Sequence, residues 1–456
     1  MIFSKIKQLV TSGLLTNHLE EKVSLREKQD RTLRADVESV LSCRKWIKTI
    51  TNNTFDSTRI MGIVAAAKGA ENYLPYTIPK IIAQTSEIGI MADIVIGLNN
   101  GFECQSVIER FSLIPNIQVI HLYTNEKLAN NIPAKIYDNL RCEGEPYYFR
   151  NIDCQYSKHR IFVVHQKQGE YAAGKIRVLG DIYGSLLLKS IENGWIPPAI
   201  LVAFDAESQF LVEQKFSFVE PESNGLMLIV RELQKHPEID ILGARERFAV
   251  YQKAIVDGTE VLLPNFTEEV PPIQFFLTIV HGKYSGFKWK PAVGTVGKTD
   301  AIVSLLAVIS QKYPGTKNDD IHLTILAKYA GFLGEIFTNV VSTNRTHSLI
   351  EMTIDKQPKK AWVEQAARWN AGFDALELNY GKHNIRSIAT DRFPWSIFTA
   401  PIEFLKRLKG TDKVNLYSII HKTKVLVIAF FASQSYKNKS LENPNILQGD
   451  EAKAYW

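Results

Sequence analysis

The chain has 456 residues, of which 45% are hydrophobic and 22% charged, and it carries a formal charge of +6. This composition is that of a globular protein with one large domain or two, and it argues against large-scale disorder. The positive charge is small and spread along the chain, so it gives little support to a nucleic-acid-binding protein.

Cysteine use and hydropathy narrow the class of protein further. The four cysteines form no CxxC pair and no HExxH motif is present, so neither a zinc site nor a disulfide scaffold is predicted. No apolar run approaches the roughly 20 residues of a membrane-spanning helix. Lysines interrupt the apolar residues of the first 15 positions, which argues against a cleaved signal peptide. We therefore expect a cytoplasmic protein.

In chain order, the first block is an N-terminal helical segment, residues 1–57, rich in opposite charges at helical spacing. From residue 58 strands and helices alternate, which predicts a mostly parallel central sheet with helices on both faces. The predicted strands are "IMGIVAAAK", "ADIVIGL", "IQVIHLY", "RIFVVHQ", "PAILVAF" and "EIDILGAR". The helices between them are "ENYLPYTIPKIIAQ", "VIERFSLI", "VLGDIYGSLLLKSIEN" and "NGLMLIVRELQKH".

Two further regions are predicted outside this alternation. The periodicity fades between residues 124 and 160, which we interpret as an insertion or long loop near the sheet edge. We place the boundary of the central domain at residue 345, so residues 346–456 form a C-terminal helical region. Its basic, apolar-rich tail and the amphipathic start of the chain could rest on an anionic membrane, although packing against the protein is the favoured alternative.

Three groups of residues carry the candidate chemistry. Asp205 and Glu207 follow the apolar strand "PAILVAF", and as i and i+2 residues they could present oxygens to a hard divalent cation. Their ordinary alternative is solvent exposure or capping of the next helix. Asp319 and Asp320 open a predicted helix, where one carboxylate could act as a base or both could complement the helix dipole after an Asn318 N-cap.

The third group lies in "EQAARWNAGF", within the C-terminal helical region. On a helix, Gln365, Arg368 and Trp369 stand at i, i+3 and i+4 and therefore form one patch. The ordinary alternative is an amphipathic helix with Trp369 in the core.

Taken together, the order DAE, then NDD, then QxxRW resembles the family 2 inverting glycosyltransferases of GT-A fold. The segment "MGIVAAAKGAENYLPYTIPKIIAQ" followed by "DIVIGLNNG" is similar to the family's opening strand, helix and second strand, and "GEYAAGKIRVLGDIYG" is similar to its GK segment. The resemblance covers residues 58 to about 375. It implies a GT-A nucleotide-diphospho-sugar transferase fold and a metal-dependent single displacement with a carboxylate base.

The resemblance also implies roles for individual residues of this chain. Asp205 and Glu207 would hold Mg²⁺ or Mn²⁺ at the donor diphosphate, and Asp320 would be the base, with Asp319 as the alternative. Donor and acceptor binding would fall to Lys175, Asn99, Asn100, Gln365, Arg368 and Trp369.

The implied partners are a nucleoside-diphosphate sugar, with a UDP-sugar favoured, and a carbohydrate or lipid-linked acceptor. Peripheral contact with the inner face of a membrane would be compatible with such an acceptor. Two asparagines stand where the family often has aspartates, so the nucleotide is left open. A sugar-phosphate nucleotidyltransferase of similar fold remains an alternative, and a non-enzymatic anion or nucleic-acid-binding module is a weaker one.

Overall fold

The computed structural model describes about half of the chain, in segments that include most of the central sheet. The described residues are 14–66, 70, 73–87, 89–99, 105–114, 116–123, 140–143, 145–150, 158–165, 175–206, 208–210, 225–244, 246–256, 259–264, 295–313, 315–316, 319–337, 339–342, 345–347, 350–354, 372 and 375–386. Most of the predicted amphipathic start, most of the predicted insertion and the C-terminal tail lie outside them.

Sixteen strands are found in the described residues. They are β1 (Asp56–Ala66), β2 (Met91–Leu98), β3 (Ile117–Tyr123), β4 (Arg141–Cys142), β5 (Glu145–Pro146), β6 (His159–His165), β7 (Pro198–Asp205), β8 (Ser208–Phe210), β9 (Ile241–Ala244), β10 (Glu246–Val256), β11 (Thr259–Pro264), β12 (Thr295–Lys298), β13 (Gly334–Phe337), β14 (Asn339–Ser342), β15 (Arg345–His347) and β16 (Ile350–Ile354).

The helices of the described residues alternate with these strands. They are α1 (Leu14–Ile50), α2 (Leu74–Ser86), α3 (Gln105–Ser112), α4 (Lys175–Gly180), a π-helical stretch (Asp181–Leu188), α5 (Lys189–Glu192), α6 (Gly225–Lys235), α7 (Thr299–Lys312), α8 (Asp319–Tyr329) and α9 (Lys382–Arg386). The segments from α4 to α5 follow one another without a break and so make one continuous helical stretch.

The central sheet has ten strands in the order β13-β9-β12-β7-β1-β2-β6-β3-β4-β5. Strands β7, β1, β2, β6 and β3 are parallel neighbours, while β12 runs antiparallel to both β7 and β9. Apolar side chains alternate between two hydrophobic clusters, one on each face. The expected mixed α/β fold with a largely parallel central sheet is therefore confirmed.

Each face of the sheet is covered by helices whose apolar residues enter the corresponding cluster. One cluster includes residues of α1, the π-helical stretch, α7 and α8, and the other includes residues of α2, α3 and α6. Helix α7 is the most deeply placed, since residues 299–310 are all buried. The sequence pattern does not predict this helix, because a helix that is buried all round lacks the period of an amphipathic one.

A second sheet has four strands in the order β11-β10-β16-β8. Strand β16 lies beyond residue 345, the predicted boundary, and pairs with β10 and with β8, which follows Asp205 closely in the chain. The three-part division of the chain stays a prediction. None of the helices in the described segments is both long and apolar enough to cross a bilayer.

Candidate active site

Two acidic residues and one lysine meet at the carboxyl end of the central sheet. Asp205 is the last residue of β7, and Lys175 is the first residue of α4, in the connection between β6 and β7. Asp319 begins α8. The parallel strands bring the exit of β7 and the entry of the crossover helix to the same edge, which is where ligands of open α/β sheets bind.

Lys175 joins the two acids. Its Nζ lies 2.7 Å from Asp205 Oδ1 and 3.1 Å from Asp319 Oδ2, so one ammonium bridges two carboxylates. The side chains of Lys175, Asp205 and Asp319 are 30%, 28% and 21% exposed, respectively. Partial burial therefore strengthens the electrostatic interactions within the cluster, while the remaining exposure leaves room for a ligand to reach it.

Close packing of the helix onto the sheet fixes the position of Lys175. A Cβ on Gly97 of β2 would lie 2.8 Å from Val178 Cγ2 and 2.9 Å from Ile182 Cδ1. Only glycine at this position therefore allows α4 and the π-helical stretch to approach β2 so closely. The start of α4, with Lys175, is thereby held over the strand ends.

The electrostatics of the cluster favour the charged lysine. Desolvation acts to lower the pKa of the Lys175 ammonium, but the charges of Asp205 and Asp319 and their hydrogen bonds outweigh it. The pKa of Lys175 consequently lies well above its ordinary value, so its ammonium is charged throughout the physiological pH range.

A buried tyrosine lies on the same continuous helical stretch as Lys175, and the sequence pattern does not predict it as a site residue. Tyr183 lies in the π-helical stretch, is 0% exposed, and its hydroxyl has no hydrogen-bond partner among the described residues. Burial raises the pKa of the Tyr183 phenol; the Lys175 charge lowers it and the Asp319 charge raises it, so both act on the ring. The available signal was its position eight residues after Lys175, close to two turns along one helical face.

Asn99 is the second polar side chain at this edge without a partner. It directly follows β2 and is 3% exposed, and its Oδ1 accepts no hydrogen bond from any described residue. β2 lies two strands from β7, which corresponds to about 10 Å. Its amide is thus placed at the same edge of the sheet as the lysine bridge.

The remaining predicted site residues divide into two groups. Asp320 follows Asp319 in the first turn of α8, and its backbone carbonyl accepts a hydrogen bond from Thr324 Oγ1 at 2.8 Å. Outside the described residues lie Asn100, Glu207, Gln365, Arg368 and Trp369.

A polar network behind the site holds α8 in place. Asp36 of α1 accepts hydrogen bonds from the hydroxyls of Tyr313 and Tyr380, and His322 of α8 contacts the Tyr380 hydroxyl through Nε2 at 2.6 Å. His322 is 0% exposed, and desolvation lowers its pKa to about 3. Helix α8, which begins with Asp319, is therefore tied to α1 and to the helical residues 375–380 through a neutral histidine.

The donor chemistry of the cluster suits a hard divalent cation only in part. Asp205 and Asp319 supply the carboxylate oxygens that Mg²⁺ or Mn²⁺ takes, but no group of three or more potential metal-ligating side chains occurs among the described residues. A cation bound through one or two carboxylates usually completes its shell with substrate phosphates and water. The residues present fit such a site, provided that Lys175 yields its place between the acids.

Comparisons with known proteins add little beyond this geometry. No protein-family model matches the chain, and no curated protein sequence matches it. Among solved structures, it is similar to the mannosyltransferase PcManGT from Pyrobaculum calidifontis in complex with GDP-Man and Mn²⁺. That similarity has a TM-score of 0.40 and 10% sequence identity, over 90% of this chain and 99% of the other. At this level a similarity does not assign a site or an activity.

Proposed function

We propose that the protein is a glycosyltransferase of inverting type that moves a sugar from a nucleoside-diphosphate sugar to an acceptor hydroxyl. The observation that carries the proposal is the bridge from Lys175 to Asp205 and Asp319. These residues come from three separate motifs, at positions where the sequence resemblance placed the GK lysine, the metal-binding acid and the acidic helix start. Their meeting at the carboxyl end of the sheet supports one shared site.

Each residue of the cluster has a role in such a displacement. Asp205, together with Glu207, would hold Mn²⁺ or Mg²⁺, which supplies charge stabilisation for the departing diphosphate. The Lys175 ammonium, on its flexible stem, would bind the diphosphate oxygens. Asn99 and Asn100 would contact the nucleotide, for which a uridine is favoured.

The acceptor side of the reaction needs a base. The acceptor oxygen attacks the anomeric carbon from the face opposite the leaving group, the bond from that carbon to the diphosphate oxygen breaks, and the diphosphate leaves with the electron pair. A carboxylate of α8 takes the hydroxyl proton. The contact with Lys175 places Asp319 beside Asp205, which makes Asp319 a candidate for this role together with Asp320.

The predicted patch of Gln365, Arg368 and Trp369 completes the proposal. Arg368 would contact phosphate oxygens and Trp369 would offer its ring face to an acceptor sugar. A carbohydrate or lipid-linked acceptor, transfer of one or a few sugars, and a location in the cytoplasm or at the inner face of a membrane belong to the same proposal.

The test is release of nucleoside diphosphate from a panel of nucleoside-diphosphate sugars with Mn²⁺, after a thermal-shift screen selects the donor. Asp319→Asn should lower turnover about 10² to 10⁴-fold if Asp319 is the base. Asp320→Asn tests the second candidate in the same assay. Glu192→Gln, an exposed change on α5, is the matched control and should retain full turnover. Full turnover in both aspartate variants would show that neither carboxylate of α8 is the base. If no nucleoside-diphosphate sugar stabilises the protein, the proposal of a glycosyltransferase is wrong.

A further inference from the structure

The lysine bridge occupies the place that a cation on the two acids would need. The Nζ of Lys175 is within hydrogen-bond distance of an oxygen of each acid, so it lies between the two carboxylates and neutralises part of their combined charge. A divalent cation coordinated by the Asp205 carboxylate would come within a few ångströms of the ammonium. At that distance like charges repel strongly in a partly shielded site.

A lysine can leave its position between the two carboxylates more easily than an arginine could. Lysine carries a compact charge on a four-carbon stem with free rotation, whereas arginine would fix two carboxylates with a rigid planar fork. The Lys175 side chain is also 30% exposed, so it has solvent on one side into which it can turn.

We propose that Lys175 is a built-in competitor of the divalent cation, holding Asp205 and Asp319 in the cation-free protein and leaving both acids when the cation binds. Departure of the ammonium then opens Asp205 to the cation and frees Asp319 to accept a proton. The freed ammonium is available to the donor diphosphate. Binding of the cation to Asp205 thus makes the Asp319 carboxylate available as a base, and Lys175 is the residue that couples the two events. This inference rests on the proposed function only in assuming that the site takes a divalent cation.

The first experiment measures Mn²⁺ affinity of the full chain without nucleotide or sugar, by the electron paramagnetic resonance signal of free Mn²⁺. Lys175→Met removes the competitor and should tighten Mn²⁺ binding about ten-fold or more, which corresponds to about 1.4 kcal/mol. Lys175→Arg keeps the charge and should bind Mn²⁺ no more tightly than the parent. Lys189→Met, on the same continuous helix and paired with exposed Glu192, is the matched control and should equal the parent. Adding Asp205→Asn to Lys175→Met should abolish the gain.

The second experiment needs no variant and so does not depend on whether Lys175→Met folds. Acetylation of the parent protein is followed by mass spectrometry with and without Mn²⁺. Release from two carboxylates should raise the acetylation rate of Lys175 several-fold while that of Lys189 stays constant. Unchanged or slower acetylation of Lys175 with Mn²⁺, or Mn²⁺ affinity in folded Lys175→Met equal to or weaker than in the parent, overturns the inference.

The two proposals can fail separately. If Lys175→Met does not bind Mn²⁺ more tightly, the competition is wrong, but sugar transfer is still tested by nucleoside diphosphate release, which uses different ligands and variants. Conversely, a protein that transfers no sugar but binds Mn²⁺ more tightly as Lys175→Met would retain the competition and lose the transferase. Nucleoside diphosphate release that proceeds equally with a metal chelator present, in a parent that binds no Mn²⁺, overturns the competition and keeps the transferase.

Discussion

Opposite ends of the same central sheet carry two ionic clusters of different character. Near the amino ends of β1, β2 and β6, Asp93 accepts hydrogen bonds from both Arg59 and Arg160, and all three side chains are at most 2% exposed. At the carboxyl end, Lys175 bridges Asp205 and Asp319 with side chains that are 21–30% exposed. The cluster at the amino ends is buried, whereas the cluster at the carboxyl end is partly exposed to solvent.

The difference lies in how completely each cluster satisfies its groups. Each guanidinium meets Asp93 through two nitrogens, so the carboxylate is fully bonded and has little capacity for another ligand. In the lysine cluster, among the described residues, the ammonium of Lys175 is shared between two acids, each of which it meets through one oxygen. We infer that the amino-end cluster secures the strand register, whereas the carboxyl-end cluster is able to exchange partners.

The largest expected effect is on the amino-end cluster. Asp93→Asn leaves two guanidiniums buried without their counter-charge and should lower the free energy of unfolding by about 3–5 kcal/mol. Asp205→Asn, the matched change at the other end, removes a partly exposed pair and should cost about 1 kcal/mol or less. Urea unfolding of both variants measures this. Equal losses would break the distinction between a structural and an exchangeable cluster.

The second effect concerns the network that holds α8. Because the folded-state pKa of His322 is about 3 and the ordinary value is 6.5, the unfolded chain binds one more proton between these values. The contribution of His322 to stability is therefore complete above about pH 6.5 and is lost as the pH falls towards 3. Between pH 6 and pH 4 the loss should approach 1.4 kcal/mol per pH unit.

Urea unfolding across this range, for the parent and for His322→Gln, isolates the contribution of His322 from that of other groups. The glutamine variant should show a shallower fall in the free energy of unfolding. A fall of the same steepness would mean that His322 takes up its proton in the folded state.

The sequence predicted the part of this fold that short apolar runs encode. The strands at 56–66, 91–98, 117–123, 159–165 and 198–205 were each expected, because a buried strand is an apolar run between polar ends. Helix α7 was not, since burial on every side removes the amphipathic period. The pairing of Asp93 with two arginines was also out of reach, because contacts between strands depend on register that a single sequence does not state.

For the site, the sequence predicted the participants better than their arrangement. The motifs predict Asp205, Lys175 and Asp319 as site residues, but they do not predict that the lysine bridges both acids. The choice of Asp320 over Asp319 as the base stays a prediction, because place in a motif does not state which carboxylate of a helix's first turn faces the site. The sequence pattern predicts Tyr183 as a core residue, because its neighbours along the helix are apolar.

A smaller effect is expected from the packing that positions Lys175. Gly97→Ala places a Cβ against Val178 and Ile182 and should cost about 1–3 kcal/mol of unfolding free energy, since overpacking moves the helix away from the sheet. It should also weaken donor binding, because the start of α4 shifts. Gly62→Ala is the control, for its Cβ would meet Phe204 Cε1 at 3.2 Å, in the hydrophobic cluster on the other face. Donor affinity reduced equally in both variants would show a general loss of stability and no specific effect on Lys175.

The smallest expected effect on the free energy of unfolding is that of removing a tyrosine hydroxyl that makes no hydrogen bond to a described residue. The Tyr183 hydroxyl is buried without a partner among the described residues, so Tyr183→Phe should leave the free energy of unfolding unchanged or raise it by up to about 1 kcal/mol. Tyr380→Phe is the matched change, because that hydroxyl donates to Asp36 Oδ2 at 2.8 Å and contacts His322, and it should cost about 1–3 kcal/mol. Chemical denaturation of the two variants measures both. A loss above 1 kcal/mol in Tyr183→Phe would mean that its hydroxyl is bonded in the folded protein.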